Sequence, residues 1–178
     1  MKTPILKSKK PEFILRHITM QDSQAYFESM QNSETRKGFM SVPKSLEEAK
    51  RNLSKKISKM KLKKPTVDVF AIEVDGEYAG HVELHDMNQK YLEHIARIGY
   101  CLHPKFRGKG IMTKAVGMIV DYAFKKYKLK RIEGICRTFN KASAHVLERT
   151  GFKLEGIMRK NKFKDGKYLD DMVWAKIR

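Results

Sequence analysis

His81, Glu83 and His85 stand at alternate positions in the segment 80–85, separated by Val82 and Leu84. In a strand, this spacing puts the three polar groups on one face and the apolar pair on the other. Two imidazoles and a carboxylate on one face can accept or relay a proton near neutral pH. Glu83 is the first candidate for a general base, with Glu93 and His94 just ahead of the next apolar segment as rivals. A solvated polar face is the competing reading for each of them. The zinc pattern H-E-x-x-H is not met, because the glutamate is misplaced and the segment reads as strand, so no metal is expected.

A second chemical signal lies in Gly99 to Ala115, GYCLHPKFRGKGIMTKA, where an apolar run breaks into a glycine loop that opens an amphipathic helix. Gly108 and Gly110 permit a tight turn and close approach of a ligand to the backbone. The amides of the following first helical turn lack intrahelical partners, so this helix start suits a phosphate or pyrophosphate. The dinucleotide fingerprint fails because Thr113 stands where a third glycine is required, and no P-loop is present. Further on, Asn140 to Phe152 reads NKASAHVLERTGF, a short helix leading to a Gly-Phe pair.

Together these segments, over residues 97–152, resemble the GNAT superfamily of N-acetyltransferases, and most of all its branch that acetylates the N-termini of ribosomal proteins. The acyl-CoA loop of that superfamily, [QR]-x-x-G-x-[GA], is met by Arg107 and Gly110, while Met112 stands where a small residue is usual. The N-x-x-[SA] signature is met by Asn140 and Ser143. The resemblance implies acetyl-CoA as co-substrate, with backbone amides of Arg107, Gly108, Lys109, Gly110, Ile111, Met112 and Thr113 holding its pyrophosphate. It further implies that Leu102 pairs its backbone with the pantetheine arm and that Asn140 hydrogen-bonds it further along. Lys105 and Lys109 are either partners of the nucleotide's other phosphate or solvated loop lysines. Many family members place a tyrosine general acid four residues before the glycine of Gly-Phe; here that residue is Leu147. The departure leaves Ser143 or water to protonate the leaving thiolate, and Ser143 can equally serve the helix start.

The elements that must position these residues follow from periodicity. Glu12 to Ile18 reads as a strand and Thr19 to Asp22 as a helix start, with Tyr26, Phe27 and Met30 as that helix's apolar face. Ser45 and Glu48 form a capping-box pattern for a helix whose Leu46, Ala49, Leu53, Ile57 and Met60 recur at spacings of three and four. Its Lys50, Arg51, Lys55, Lys56 and Lys59 make either a solvated face or an RNA-binding stripe. The runs 67–74 and 78–84 flank Asp75-Gly76, a hairpin signal. Then come a strand near 95–102, a helix from Ile111 to about Tyr127, a strand over 131–137, a short helix over 142–150, and a hairpin turned by Asp165-Gly166 into 168–177. The order predicts an α+β fold, a mixed and mostly antiparallel sheet with helices on both faces, similar to the GNAT fold. The first ten residues, with Lys2, Lys7, Lys9 and Lys10, read as a loose basic arm.

At 178 residues with 41% hydrophobic content, one domain with a proper core is expected. Neither an 18-residue apolar run nor a signal-peptide core is present, which points to the cytoplasm. Cys101 and Cys136 fall in apolar contexts and read as buried free thiols. The net charge of +18 fits anionic partners such as CoA, RNA or the ribosome surface, or simply a lysine-rich proteome. Two functions therefore stand: an acetyl-CoA-dependent transferase acting on a protein N-terminus or small amine, and a non-catalytic acyl-CoA-binding or RNA-associated module. Positive charge disfavours polyamine acceptors.

Overall fold

In the computed structural model, which describes residues 6–178, eight strands form one sheet. They are β1 (Leu6–Lys9), β2 (Glu12–His17), β3 (Asp68–Val74), β4 (Glu77–His85), β5 (Ile95–Leu102), β6 (Arg131–Arg137), β7 (Lys153–Lys164) and β8 (Lys167–Ile177). The order across the sheet is β1-β2-β3-β4-β5-β6-β8-β7, and every neighbouring pair is antiparallel except β5 with β6. Five helices cover it: α1 (Ser23–Gln31), α2 (Ser33–Gly38), α3 (Leu46–Met60), α4 (Ile111–Lys126) and α5 (Lys141–Arg149).

Alternation along the central strands divides the core in two. Phe70, Ile72, Val82, Leu84 and Ile98 pack with the Ala115, Val116, Ile119 and Ala123 stripe of α4. Val67, Val69 and Ala71 pack instead with Tyr26 and Met30 of α1 and Ala49 and Leu53 of α3. Residues one apart in a strand serve opposite layers, so the sheet needs a helix layer on each face.

Residues 6–9 are not a loose arm. They pair with β2 in the register Leu6 with Leu15 through Lys9 with Glu12, and Leu6 packs on the core while Ser8 is buried. The exposed Lys7 and Lys9 between them set the local composition and mask a strand whose alternation is real but short. Residues 1–5 of the expected arm lie outside the described residues. At α3, the Ser45 hydroxyl accepts the Glu48 amide at 3.2 Å, while the Glu48 carboxylate reaches back past the cap to the Lys44 amide at 2.8 Å.

The parallel pair matters most for function. Register between β5 and β6 runs from Ile95 with Arg131 to Ile98 with Gly134 and stops. Beyond it β5 stays paired with β4 as far as Leu102, and β6 with β8 as far as Arg137. Two strands held to opposite halves of a twisted sheet separate, and a wedge opens between Gly99–Leu102 and Ile135–Arg137.

Candidate active site

One side of the wedge is a row of backbone groups turned away from the neighbouring strand. The His103 amide donates to the Ala79 carbonyl at 2.8 Å, which fixes the phase of the β4–β5 ladder. Because hydrogen-bonded and non-bonded pairs alternate in an antiparallel ladder, the backbone groups of Tyr100 and Leu102 turn away from β4 towards the wedge. Arg107 Nε donates to the Leu102 carbonyl at 3.0 Å. Leu102 therefore has its amide to offer an extended ligand, while its carbonyl is already bonded.

The glycine loop stands at the wedge's mouth. Gly108 and Gly110 have φ of 77° and 73°, and a Cβ at either would meet nothing within 4 Å. These positive angles are costly for any residue with a side chain, and the space beside them is open to a ligand. Lys114 is the first residue of α4 whose amide finds a carbonyl one turn back, that of Gly110 at 3.1 Å. The amides of Ile111, Met112 and Thr113 precede it with no side-chain cap and no acidic residue in the turn. The Ile111 and Met112 side chains are buried in the core, so the methionine found where the family pattern has a small residue points inward. Lys109 is exposed, and Lys105 forms an ion pair with Glu77 at 2.6 Å. The Arg107 guanidinium also donates to Thr35 Oγ1 at 2.7 Å and ties the loop to α2.

On the other side of the wedge, Asn140 caps α5: its Oδ1 accepts the Ser143 amide at 3.1 Å. Capping thus falls to Asn140, and the Ser143 hydroxyl is used elsewhere. It lies 2.9 Å from the Tyr100 hydroxyl, which also donates to the Ser143 carbonyl at 3.1 Å. Burial pushes the Tyr100 phenol well above its ordinary range, with the Ser143 hydrogen bond pulling the other way. Cys136 sits nearby on β6; burial raises its thiol, with the neighbouring Ser143 acting downward. Cys101 is pushed up by burial to about 11. Leu147 is only 1% exposed and packs where a Cβ on Gly134 would sit, so the position of the usual tyrosine is part of the core. Sequence reasoning missed Tyr100. Its signal was a polar-tipped aromatic inside an apolar strand, but the partner across the wedge is 43 residues away.

Glu83 lies on the opposite face of β4 from Val82 and Leu84, paired in register with Gly99 of β5. Lys56 of α3 forms an ion pair and hydrogen bond with it. Burial alone would raise the Glu83 carboxyl, but the Lys56 ammonium, through its charge and its hydrogen bond, holds it below the usual carboxylate range. His81 is buried with Tyr26 packed on its ring at 5.1 Å, and its Nδ1 is 2.8 Å from the Tyr78 hydroxyl. Desolvation lowers it to about 4, so it is neutral at pH 7. His85 turns to Asp86, at 3.2 Å. The rivals Glu93 and His94 are exposed ahead of β5, at the end remote from the wedge. Their nearness in sequence to β5 did not show which end of the strand opens. Among the described residues, no group of three histidine, cysteine or carboxylate side chains is placed to hold a metal ion. No helix among them is long and apolar enough to cross a membrane.

Short α2, absent from the periodicity reading, closes the front of the site. Thr35 meets Arg107, Gly38 faces Asn140, and Lys164 of β7 donates to the carbonyls of Arg36 and Phe39 at 2.7 Å each. Asn32 caps it, accepting from Glu34 and Thr35.

Residues 12–153 match the model of the acetyltransferase (GNAT) domain. The chain is 45% identical to Probable N-acetyltransferase YjcK of Bacillus subtilis over 101 residues, 57% of this chain and 55% of that protein. It is 32% identical to spermidine N(1)-acetyltransferase of Escherichia coli over 56% of this chain and 52% of that one. These alignments span only about half the length of the two relatives. Among solved structures, the ribosomal L7/L12 alpha-N-protein acetyltransferase RimL in complex with coenzyme A superposes with a TM-score of 0.86 at 23% identity, covering 98% of each chain. With a glycine loop, an open helix start and a wedge between parallel strands inside a family match over most of its length, the chain belongs to the GNAT acetyltransferase family.

Proposed function

We propose that this protein transfers the acetyl group of acetyl-CoA to the α-amino group of a polypeptide. The amides of Gly108 to Thr113 would hold the pyrophosphate at the start of α4, without that of Arg107, which is already bonded to the Pro104 carbonyl at 3.1 Å, and the Leu102 amide and the Asn140 side chain would meet the pantetheine arm. The donor set fits this substrate: unpaired amides, open space beside two glycines, and no carboxylate in the first turn of α4. The similarity to a coenzyme A complex supports the same placement.

In the transfer, the neutral amine attacks the thioester carbonyl. A C–N bond forms, the C–S bond breaks, the amine loses a proton and the thiolate gains one. Ser143, hydrogen-bonded to Tyr100, would supply the thiolate's proton in place of the tyrosine that Leu147 replaces. Glu83 would take the amine's proton, directly or through water.

The observation that favours an α-amine is the ion pair of Glu83 with Lys56. A carboxylate held below its usual range is a weak base, matched poorly to a lysine or polyamine nitrogen near 10.4 and better to an α-amine near 7.7–8.0, which is partly neutral on its own. The net charge of +18 also disfavours polycationic acceptors. Similarity to a protein that acetylates a ribosomal protein N-terminus agrees with this. Free CoA release followed across unblocked peptides, their N-blocked lysine counterparts, aminoglycosides and spermidine tests the reading. Unblocked peptides should dominate; turnover of spermidine alone would overturn the acceptor class. CoA binding without turnover of any amine would leave a binding module.

A further inference from the structure

Several cations of the β7–β8 hairpin have no carboxylate partner among the described residues. Register between the two strands shifts between Met158 and Lys162, where Lys160 takes a φ of 49°. This bulge is pinned from both strands: the Lys160 amide donates to Asp170 at 2.7 Å and Asn161 Nδ2 to Asp171 at 2.8 Å. Asp171 is fully buried and paired with Arg137. Bulges bend a hairpin and re-aim its far end. Here the far end is fastened to the C-terminal carbonyls of α2 by Lys164, so the tip is held beside the front of the site.

Arg159, Lys160, Lys162 and Lys167 are all exposed on this tip, and among the described residues none pairs with a carboxylate side chain. The hairpin's own acids are mostly committed: Glu155 to Arg131, Asp170 to the bulge and Asp171 to Arg137. Arg36 of α2 and Lys141 of α5 add exposed cations around the same opening. The α3 stripe differs, because its Lys56 is spent on Glu83.

Resting on the α-amine reading above, we infer that this tip is a docking edge for an acidic acceptor polypeptide. Its carboxylates meet Arg159, Lys160, Lys162 and Lys167 while its first residue enters the wedge. Cys136, beside Ser143, pairs with Met172, and Lys162 pairs with Leu169 three residues further along β8. At about 3.3 Å per residue that is about 10 Å, the reach of three extended residues, so the acidic groups fall at roughly the third to sixth positions of the acceptor.

Acetylation of two peptides that share their first two residues and carry Glu or Lys at positions three to six tests this. The acidic peptide should be favoured about tenfold in kcat/KM at low salt, mainly through KM. The preference should shrink as salt shortens the screening length to about 8 Å at 0.15 M ionic strength. A Lys160→Glu, Lys162→Glu double variant with an unchanged melting temperature should abolish or invert it, whereas Lys50→Glu, Arg51→Glu on exposed α3 should leave it as it was. Equal use of both peptides by the wild type overturns the docking edge and leaves the acceptor class standing. Turnover of no peptide overturns both. Loss of single-stranded RNA binding in the hairpin variant, with the peptide preference retained, assigns the cations to nucleic acid and also overturns the docking edge.

Discussion

The two halves of the site, one proposed for coenzyme A and one for the amine, are built from different materials. The side assigned to coenzyme A uses backbone: the amides of Gly108 to Thr113, the turned-out groups of Tyr100 and Leu102, and the unfilled space beside two glycines. The side assigned to the amine uses side chains brought from afar: Glu83 from β4, Lys56 from α3, Ser143 from α5, Tyr100 from β5 and the clamp of Lys164 on α2. Backbone groups are set by local conformation, so a short motif fixes them. Side-chain clusters depend on packing, so their chemistry can change while the loop stays the same.

The sharpest break in this contrast concerns His81, on the amine side. Its ring is held neutral by burial and titrates near 4 in place of 6.5. The unfolded chain therefore takes up a proton that the folded chain refuses, and stability present above pH 6.5 should fall as the pH drops towards 4, by up to about 3 kcal/mol. Urea unfolding of wild type and His81→Gln between pH 7 and 4.5 checks this. The variant should lose much of the slope, and parallel curves would remove His81 as its source.

On the backbone side, Gly110→Val should weaken acetyl-CoA binding roughly a hundredfold in calorimetry while the chain still folds, because a branched side chain cannot adopt a φ of 73° without strain and fills the space beside the loop. Full affinity in a folded variant would take the loop out of the site.

Ser143→Ala should lower kcat about tenfold with little change in acetyl-CoA affinity, and Tyr100→Phe should follow it in the same direction. Since Asn140 already caps α5, Ser143→Ala should leave the melting temperature nearly unchanged. A stability loss with normal turnover would return Ser143 to a structural role.

The smallest effect separates cap from ligand contact at one residue. Asn140→Ala should cost about 1 kcal/mol through the lost Ser143 amide bond. Asn140→Asp keeps an acceptor oxygen and should restore that stability while losing a side-chain donor to the pantetheine arm. Equal acetyl-CoA affinity in wild type and Asn140→Asp would leave Asn140 with the cap alone.

Much of this protein was determined by its sequence alone, because the determinants are local. Glycine spacing, the start of α4, the Asp75-Gly76 and Asp165-Gly166 turns and the apolar stripe of α4 each act over a few residues and are readable there, whereas the cap of α5 fell to Asn140 and not to Ser143. Alternation also placed Glu83 opposite Val82 and Leu84. Tertiary structure decided what those groups touch. Lys56 read as one cation of a surface stripe until α3 packed on the sheet and set it against Glu83, 27 residues away in the chain. Tyr100 met Ser143 only because β5 and β6 part after Ile98 and Gly134, a consequence of both strands being held by their other neighbours. Short α2 carries too few apolar residues for a periodic signal and is fixed by Arg107 and Lys164, far along the chain, whereas β1 pairs with its neighbour β2 and is simply too short and lysine-rich to show its alternation. Long-range pairing energy leaves no mark on a local window, which is why the loop was legible and its partners were not.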